Sequence, residues 1–307
     1  MRKNLLLSFI FLFSVVFLSG CQNVNSENSE IREIESGYPM TIVDSYGRAV
    51  ELETEPQRVI SIAPSITEII YSIDAQEKLV GRTDFCDYPE DVIEIESIGS
   101  LTDPSIEKIM EINPDIVIAS THFKEDVLKK MEELGIKVLV LYGPESFEGV
   151  YETVEKVGAI LNKEENAKTV VNQMKEKVEY VTSRVQGREK PSVYYVVGYG
   201  EFGDYTATGE TFISKMIEMA GGSNAADDAQ GWKYSIEKVL EKDPDILICS
   251  KYFDTKTGIE NANGYSQLSA VKEGRLFEID NNKLDRQGTR LADGLEELAK
   301  LIHPDAF

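Results

Sequence analysis

Histidine, tryptophan and cysteine are scarce in this 307-residue chain, with two, one and three residues respectively. Neither His122 nor His303 belongs to an HExxH pair, and there is no GxSxG elbow, P-loop or dinucleotide fingerprint. These absences argue against the familiar hydrolytic and nucleotide-dependent chemistries and leave binding as the leading class. Basic residues are also few, 32 against 54 acidic ones, for a net charge of −22. So acidic a surface argues against nucleic acid or anionic lipid headgroups as partners and suits a positively charged docking surface.

Long apolar runs are missing beyond the N-terminus. Leu5 to Leu18 follows Arg2 and Lys3, is too short for a lasting membrane span, and reads as a secretory signal. It ends in Leu18-Ser19-Gly20-Cys21, which looks like a bacterial lipobox. Residues 1–20 are therefore expected to be removed and Cys21 to carry lipid. Loss of Arg2 and Lys3 takes the net charge to −24. Residues 21–37, rich in Asn, Ser and Glu, bury too little apolar surface to offset ordering and read as a flexible tether. The mature protein is expected outside the cytoplasm, a monomer held to the membrane by lipid alone. That setting permits a disulfide between Cys86 and Cys249, but their separate contexts argue against one. Cys249 ends an apolar strand and reads as a small core residue.

What is abundant is internal similarity. Residues 105–120, SIEKIMEINPDIVIAS, and 235–250, SIEKVLEKDPDILICS, are identical at ten of sixteen positions. Each segment reads as a helix with Glu in its first turn, a Pro-Asp break and a buried strand. Two lobes of like fold follow: 38–161 and 188–307. In the first, strands are expected at Val59–Ala63, Leu79–Gly81, Asp115–Ala119 and Lys137–Leu141, with helices opening at Pro64 and around Leu128. In the second, Ser192–Val197, a helix at 212–220, Asp245–Ile248 and Arg275–Ile279 repeat the alternation. The fold class is α/β, two Rossmann-like lobes with parallel sheets and a ligand cleft between them, beyond the strands' carboxyl ends.

Segment 162–187 joins the lobes. Ala167, Val170, Val171, Met174, Val178, Val181 and Val185 form one helical stripe, with Asn162 and Glu165 as a capping box and Gly187 at the end. One helix of roughly 35 Å makes a rather rigid clamp.

The segments Arg58-Val59-Ile60-Ser61-Ile62-Ala63-Pro64-Ser65-Ile66-Thr67-Glu68 and Gly81-Arg82-Thr83-Asp84-Phe85-Cys86-Asp87-Tyr88-Pro89, with the Tyr38–Thr41 strand, resemble a known family from about Tyr38 to Phe307. It is the helical-backbone metal-receptor class of substrate-binding proteins, which serve ABC importers for cobalamin, haem and ferric siderophores. The Asp-Tyr-Pro segment and the Ser-x-Glu-Lys helix starts look most like the cobalamin branch. The resemblance implies that Glu107 and Glu237 dock on arginines of a permease dimer. A carboxylate in a first helical turn is also favoured by the helix dipole.

A corrinoid needs broad aromatic surface with a few fixed polar groups. Loops at strand ends offer Phe85, Cys86 and Tyr88; His122 and Phe123; Tyr199, Phe202 and Tyr205; Trp232; and Tyr252 and Phe253. Taken singly, each also suits a half-buried core position. Trp232 stands five residues before Glu237, one fewer than the branch usually has, and Leu101 occupies the matching region of the first lobe. The resemblance places polar ligand contacts at Asp285 and Arg286, which also read as a surface pair. His122 suits an axial position on a chelated metal, or simple solvation. Cobalamin or a related corrinoid ranks first as ligand, then ferric siderophore, then haem. No resident cofactor is expected, and a two-lobed metal-tetrapyrrole enzyme is the alternative from another class.

Overall fold

The computed structural model describes residues 37–307. The expected signal, Cys21 and the tether as far as residue 36 lie outside the described residues. Strands β1 Met40–Val43 and β2 Ala49–Leu52 form an antiparallel hairpin. Its turn is stitched to the first lobe by Asp44, whose Oδ2 accepts from the Val140 N–H at 3.2 Å.

The first lobe is a parallel sheet of β3 Val59–Ser61, β4 Leu79–Arg82, β5 Ile116–Ala119 and β6 Val138–Val140, in the order β4-β3-β5-β6. Every residue of β3, β5 and β6 is buried, as expected of a parallel sheet covered on both faces. The cover comes from helices α1 Pro64–Ser72, α2 Ile106–Ile112, α3 Glu125–Glu133 and α4 Phe147–Ile160.

Helix α5, Glu164–Val185, leads into the second lobe. There β7 Ser192–Gly198, β8 Tyr205–Thr206, β9 Ser223–Asn224, β10 Ile246–Ser250 and β11 Leu276–Ile279 run in the order β11-β10-β7-β8, with β9 also beside β7. This sheet is parallel except for β8, which turns back against β7. Its helices are α6 Phe212–Met219, α7 Ile236–Lys242, α8 Thr255–Asn261, α9 Ser269–Lys272, α10 Asn282–Asp285 and α11 Leu291–Ile302.

The sequence repeat coincides with α2–β5 and α7–β10. Both helices end on a left-handed residue, Asn113 at φ 51° and Asp243 at φ 40°, a conformation that short polar side chains tolerate. The aspartate of each Pro-Asp break then fastens the neighbouring strand. Asp115 Oδ2 accepts from the N–H groups of Gln57 and Arg58 at 2.7 and 2.8 Å. Asp245 Oδ2 accepts from the N–H and hydroxyl of Ser192, both at 2.8 Å. One sequence device thus sets strand register in both lobes.

The joining helix differs from expectation at its start. Lys163 precedes it without a side-chain cap, and Asn162 sits at φ 55° with its amide donating to Glu55 Oε2 at 2.9 Å. Asn162 is drawn away because the backbone turns there, leaving no capping box. The apolar stripe is as read: Ala167, Val171, Met174, Val181 and Val185 are buried, while Val170 and Val178 pack half-buried beside them. Gly158 of α4 lets the two helices close up, since a Cβ there would lie 2.4 Å from that of Ala167. Phe147 of α4 meets Phe212 of α6 edge-on at 5.5 Å. A single apolar cluster therefore runs through both lobes and α5, and a close-packed seam of this kind resists bending.

Candidate functional site

Strand β3 runs directly into Pro64, whose fixed φ and missing N–H suit the first position of a helix. Helix α1 then places Glu68 among Ile66, Ile69 and Ile70, and the carboxylate is buried, with its side chain 2% exposed. Its partners come from the other lobe. Arg290 donates Nε to Oε2 at 2.9 Å and Nη2 to Oε1 at 2.6 Å, and Arg286 donates Nη1 to Oε1 at 2.9 Å. The paired geometry of Arg290 is the strong, planar form of a carboxylate contact.

Other groups complete the cluster. Arg286 Nη1 also donates to Asp87 Oδ1 at 2.6 Å, and its Nη2 lies 3.4 Å from the Phe85 carbonyl. The Arg290 guanidinium lies 3.9 Å from the centroid of the Tyr88 ring, within cation–π range. Asp280, at the end of β11, holds Lys251 Nζ at 3.1 Å, accepts from the Tyr252 hydroxyl at 3.0 Å and lies 3.8 Å from Arg290 Nη1. The loops after β3, β4, β10 and β11 thus meet in one ionic network across the lobe boundary.

Several loop aromatics are exposed. Phe253 is fully exposed, and Phe85, Tyr88 and Trp232 keep 57%, 46% and 41% of their surface. Burial of such rings against a ligand is where binding free energy is available. His122 is exposed, and His122, Trp232 and Phe253 all have left-handed backbone, at φ 67°, 68° and 59°. Bulky residues rarely adopt that conformation, and where they do it tends to mark functional sites. Among the described residues no three His, Cys, Asp or Glu side chains form a metal-binding group.

Several expected contacts belong elsewhere. Cys86 is buried beneath α1, where its Sγ lies 3.1 Å from Thr67 Oγ1 and 3.3 Å from Thr83 Oγ1, so it faces the interior rather than a ligand. Phe123 turns inward against the first lobe's core, because an apolar ring after β5 finds Leu128 and Val140 there. Tyr199 packs edge-on to Tyr265 at 6.2 Å, with its hydroxyl against Gly258. Tyr252 is tied through its hydroxyl to Asp280. Arg286 is no surface partner of Asp285: it reaches across to Glu68 and Asp87. Asp285 accepts from Asn281 at 2.7 Å, and desolvation raises its carboxyl above the ordinary value although part of its surface is exposed. Tyr205 is half-buried under Lys233. Phe202 falls in the turn Gly200–Phe202, and its side chain lies outside the described residues.

A separate concavity of about 450 Å³ is lined by Asp204, Tyr205, Lys233, Tyr234 and Lys238. It belongs to the second lobe alone, so it does not provide a two-lobed grip.

Glu107 and Glu237 occupy equivalent places in the first turns of α2 and α7, and both are exposed. Ser105 caps α2 by accepting from the Lys108 N–H at 3.3 Å, whereas Ser235 makes no such bond to the backbone. The N–H at its own helix start, with help from Ser235, holds the Glu237 carboxyl below its ordinary value.

A model of periplasmic binding proteins matches residues 59–283. The chain belongs to that family. Among relatives of this periplasmic binding protein, an uncharacterised ABC transporter substrate-binding lipoprotein of Bacillus subtilis, YvrC, is 30% identical over 315 residues, spanning 100% of this chain and 99% of its own. A cobalamin-binding protein of Halobacterium salinarum is 24% identical over 279 residues, covering 87% of this chain and 74% of its own. The solved structure of a possible iron-binding (periplasmic solute-binding) protein from Staphylococcus epidermidis superposes with a TM-score of 0.71 at 30% identity, covering 81% of this chain and 100% of that one. The periplasmic binding protein described here is thus a two-lobed solute carrier of the ABC-importer type, not an enzyme. Among its described residues no helix is long and apolar enough to cross a membrane.

Sequence patterning alone does not single out Glu68 and Arg290 as site residues. The available signal was a lone carboxylate inside the apolar run Ile66-Thr67-Glu68-Ile69-Ile70. A buried acid in that position demands a cationic partner.

Proposed function

We propose that the protein is a lipid-anchored receptor, tethered through Cys21, that captures cobalamin or a related corrinoid between its lobes and delivers it to an ABC-importer permease. The observation carrying the ligand class is the state of the boundary cations. Arg286, Arg290, Lys251 and Lys283 are all engaged by carboxylates of the protein itself, while Phe85, Tyr88, Trp232 and Phe253 keep large exposed ring surfaces. Broad rings beside satisfied charges suit a large, flat ligand with little need for counter-ions. The cobalamin-binding relative supports the same reading.

In this reading Phe85, Tyr88, Trp232 and Phe253 contact the ligand, with Asp285 as a polar contact and His122 as an axial group. Glu107 and Glu237 meet basic residues of the permease. A ferric siderophore is the second reading, in keeping with the possible iron binding of the solved relative from Staphylococcus epidermidis. Calorimetric titration of the chain starting after Cys21 with cyanocobalamin, cobinamide, haemin and ferric siderophores tests the choice. Saturable binding of the corrinoids alone is expected, and binding of an iron chelate alone would overturn it.

A further inference from the structure

The interlobe cluster does more than join the lobes. Arg286 spends Nη1 on Glu68 and Asp87 and turns Nη2 to the Phe85 carbonyl, while Arg290 spends Nε and Nη2 on Glu68 and lies against the Tyr88 ring. Asp280 lies near Arg290 and takes Lys251. Three cations thus face Glu68, Asp87 and Asp280, with Asp285 close by, so each cation of this cluster is matched by a carboxylate of the protein. Of the remaining loop lysines, Lys233 sits over the Tyr205 ring at 5.8 Å, and Lys124 is exposed ahead of α3.

We infer that Glu68 and Asp87 are specificity-determining residues. By occupying Arg286 and Arg290 from the opposite lobe, they restrict the ligand to a chelate without net negative charge. An anionic chelate could take Arg286 Nη1 and the Nε–Nη2 edge of Arg290 only by displacing Glu68, and a buried carboxylate left without partners is strongly disfavoured. Asp87 is the adjustable member, since its side chain is 56% exposed while that of Glu68 is buried. The inference rests on the proposed capture of a chelate between the lobes, and it separates candidates by charge rather than by metal.

The test uses probes in which charge and metal vary independently: neutral cyanocobalamin, cationic diaquacobinamide, a cationic ferric hydroxamate and the trianionic ferric tris-catecholate. Each is titrated calorimetrically into the chain starting after Cys21, as wild type, Asp87→Asn, Asp87→Glu and Glu68→Gln. Wild type is expected to bind the tris-catecholate at least a hundredfold more weakly than its preferred probe. Asp87→Asn should strengthen tris-catecholate binding about tenfold, with a steeper loss on adding salt, and Asp87→Glu should restore the wild-type preference. Glu68→Gln should shift the preference in the same direction, with folding checked by circular dichroism. Tight tris-catecholate binding by wild type, or a folded Asp87→Asn with unchanged preference, would overturn the inference. Wild-type binding of the cationic ferric hydroxamate and not the corrinoids would overturn the corrinoid reading and uphold the charge rule.

Discussion

Arg290 holds both carboxylate oxygens of Glu68 from the opposite lobe, through Nε at 2.9 Å and Nη2 at 2.6 Å. The two residues are 222 positions apart, and no local pattern joins them. Their contact closes the lobe boundary at the carboxyl ends of β3 and β11, while the apolar seam along α4, α5 and α6 closes it on another side. The lobes are thus fixed by an ionic contact and a hydrophobic one.

Glu68→Gln should therefore cost stability as well as change specificity. It leaves two largely buried guanidiniums facing a neutral amide, and breaking a buried pair in this way typically costs about 3–5 kcal/mol. Urea unfolding followed by circular dichroism should show a clearly lower midpoint. An unchanged midpoint would mean that the pair contributes nothing net.

Reversing Glu107 and Glu237 to lysine together should leave ligand affinity within about twofold and abolish uptake through the importer. Both side chains are exposed in first helical turns, and neither bonds to the Glu68 cluster. Uptake of labelled ligand into cells carrying the double variant checks this, and normal uptake would remove the docking role.

The thiols should be silent in the folded protein. Cys86 lies buried between Thr67 and Thr83, and desolvation pushes the Cys249 thiol up to about 12. At pH 8 neither should react with an aromatic disulfide reagent, and both should react after unfolding. Rapid labelling of one thiol in the native state would show that its surroundings open.

Acid should weaken the second lobe through two carboxylates, Asp245, bonded to the start of β7, and Asp243, bonded to the start of α9. Hydrogen bonds from the Ser192 N–H and hydroxyl lower Asp245, and those from the Ser269 hydroxyl and N–H lower Asp243. A carboxyl lowered in the folded state contributes stability that is complete above its unfolded value, near 3.9, and is lost as pH falls through the folded one. Stability should therefore drop below about pH 4, and Asp245→Asn should flatten that dependence. A series of urea melts between pH 3 and 7 would reveal either slope.

Much of this fold was legible because its signals are local. The repeat carried α2–β5 and α7–β10, and the stripe from Ala167 to Val185 carried α5 with only its cap misplaced. The aromatic loops were legible as a set, yet their members divided by a property that sequence order does not carry. Phe85, Tyr88, Trp232 and Phe253 stayed outside, while Phe123 and Cys86 folded inward because buried partners lay beneath them. The Glu68 cluster was hidden for the opposite reason. Its members are polar residues brought together only when two lobes close, and charge balance across such a boundary cannot be counted along one strand.

The most direct measurement is the fluorescence of Trp232, the only tryptophan, during titration of the chain starting after Cys21 with cyanocobalamin. Saturable quenching at one ligand per chain, reproduced by calorimetry and greatly weakened in Phe85→Ala, is the predicted result. No binding of cyanocobalamin, together with saturable binding of a ferric siderophore, would contradict the corrinoid assignment and keep the solute-binding role.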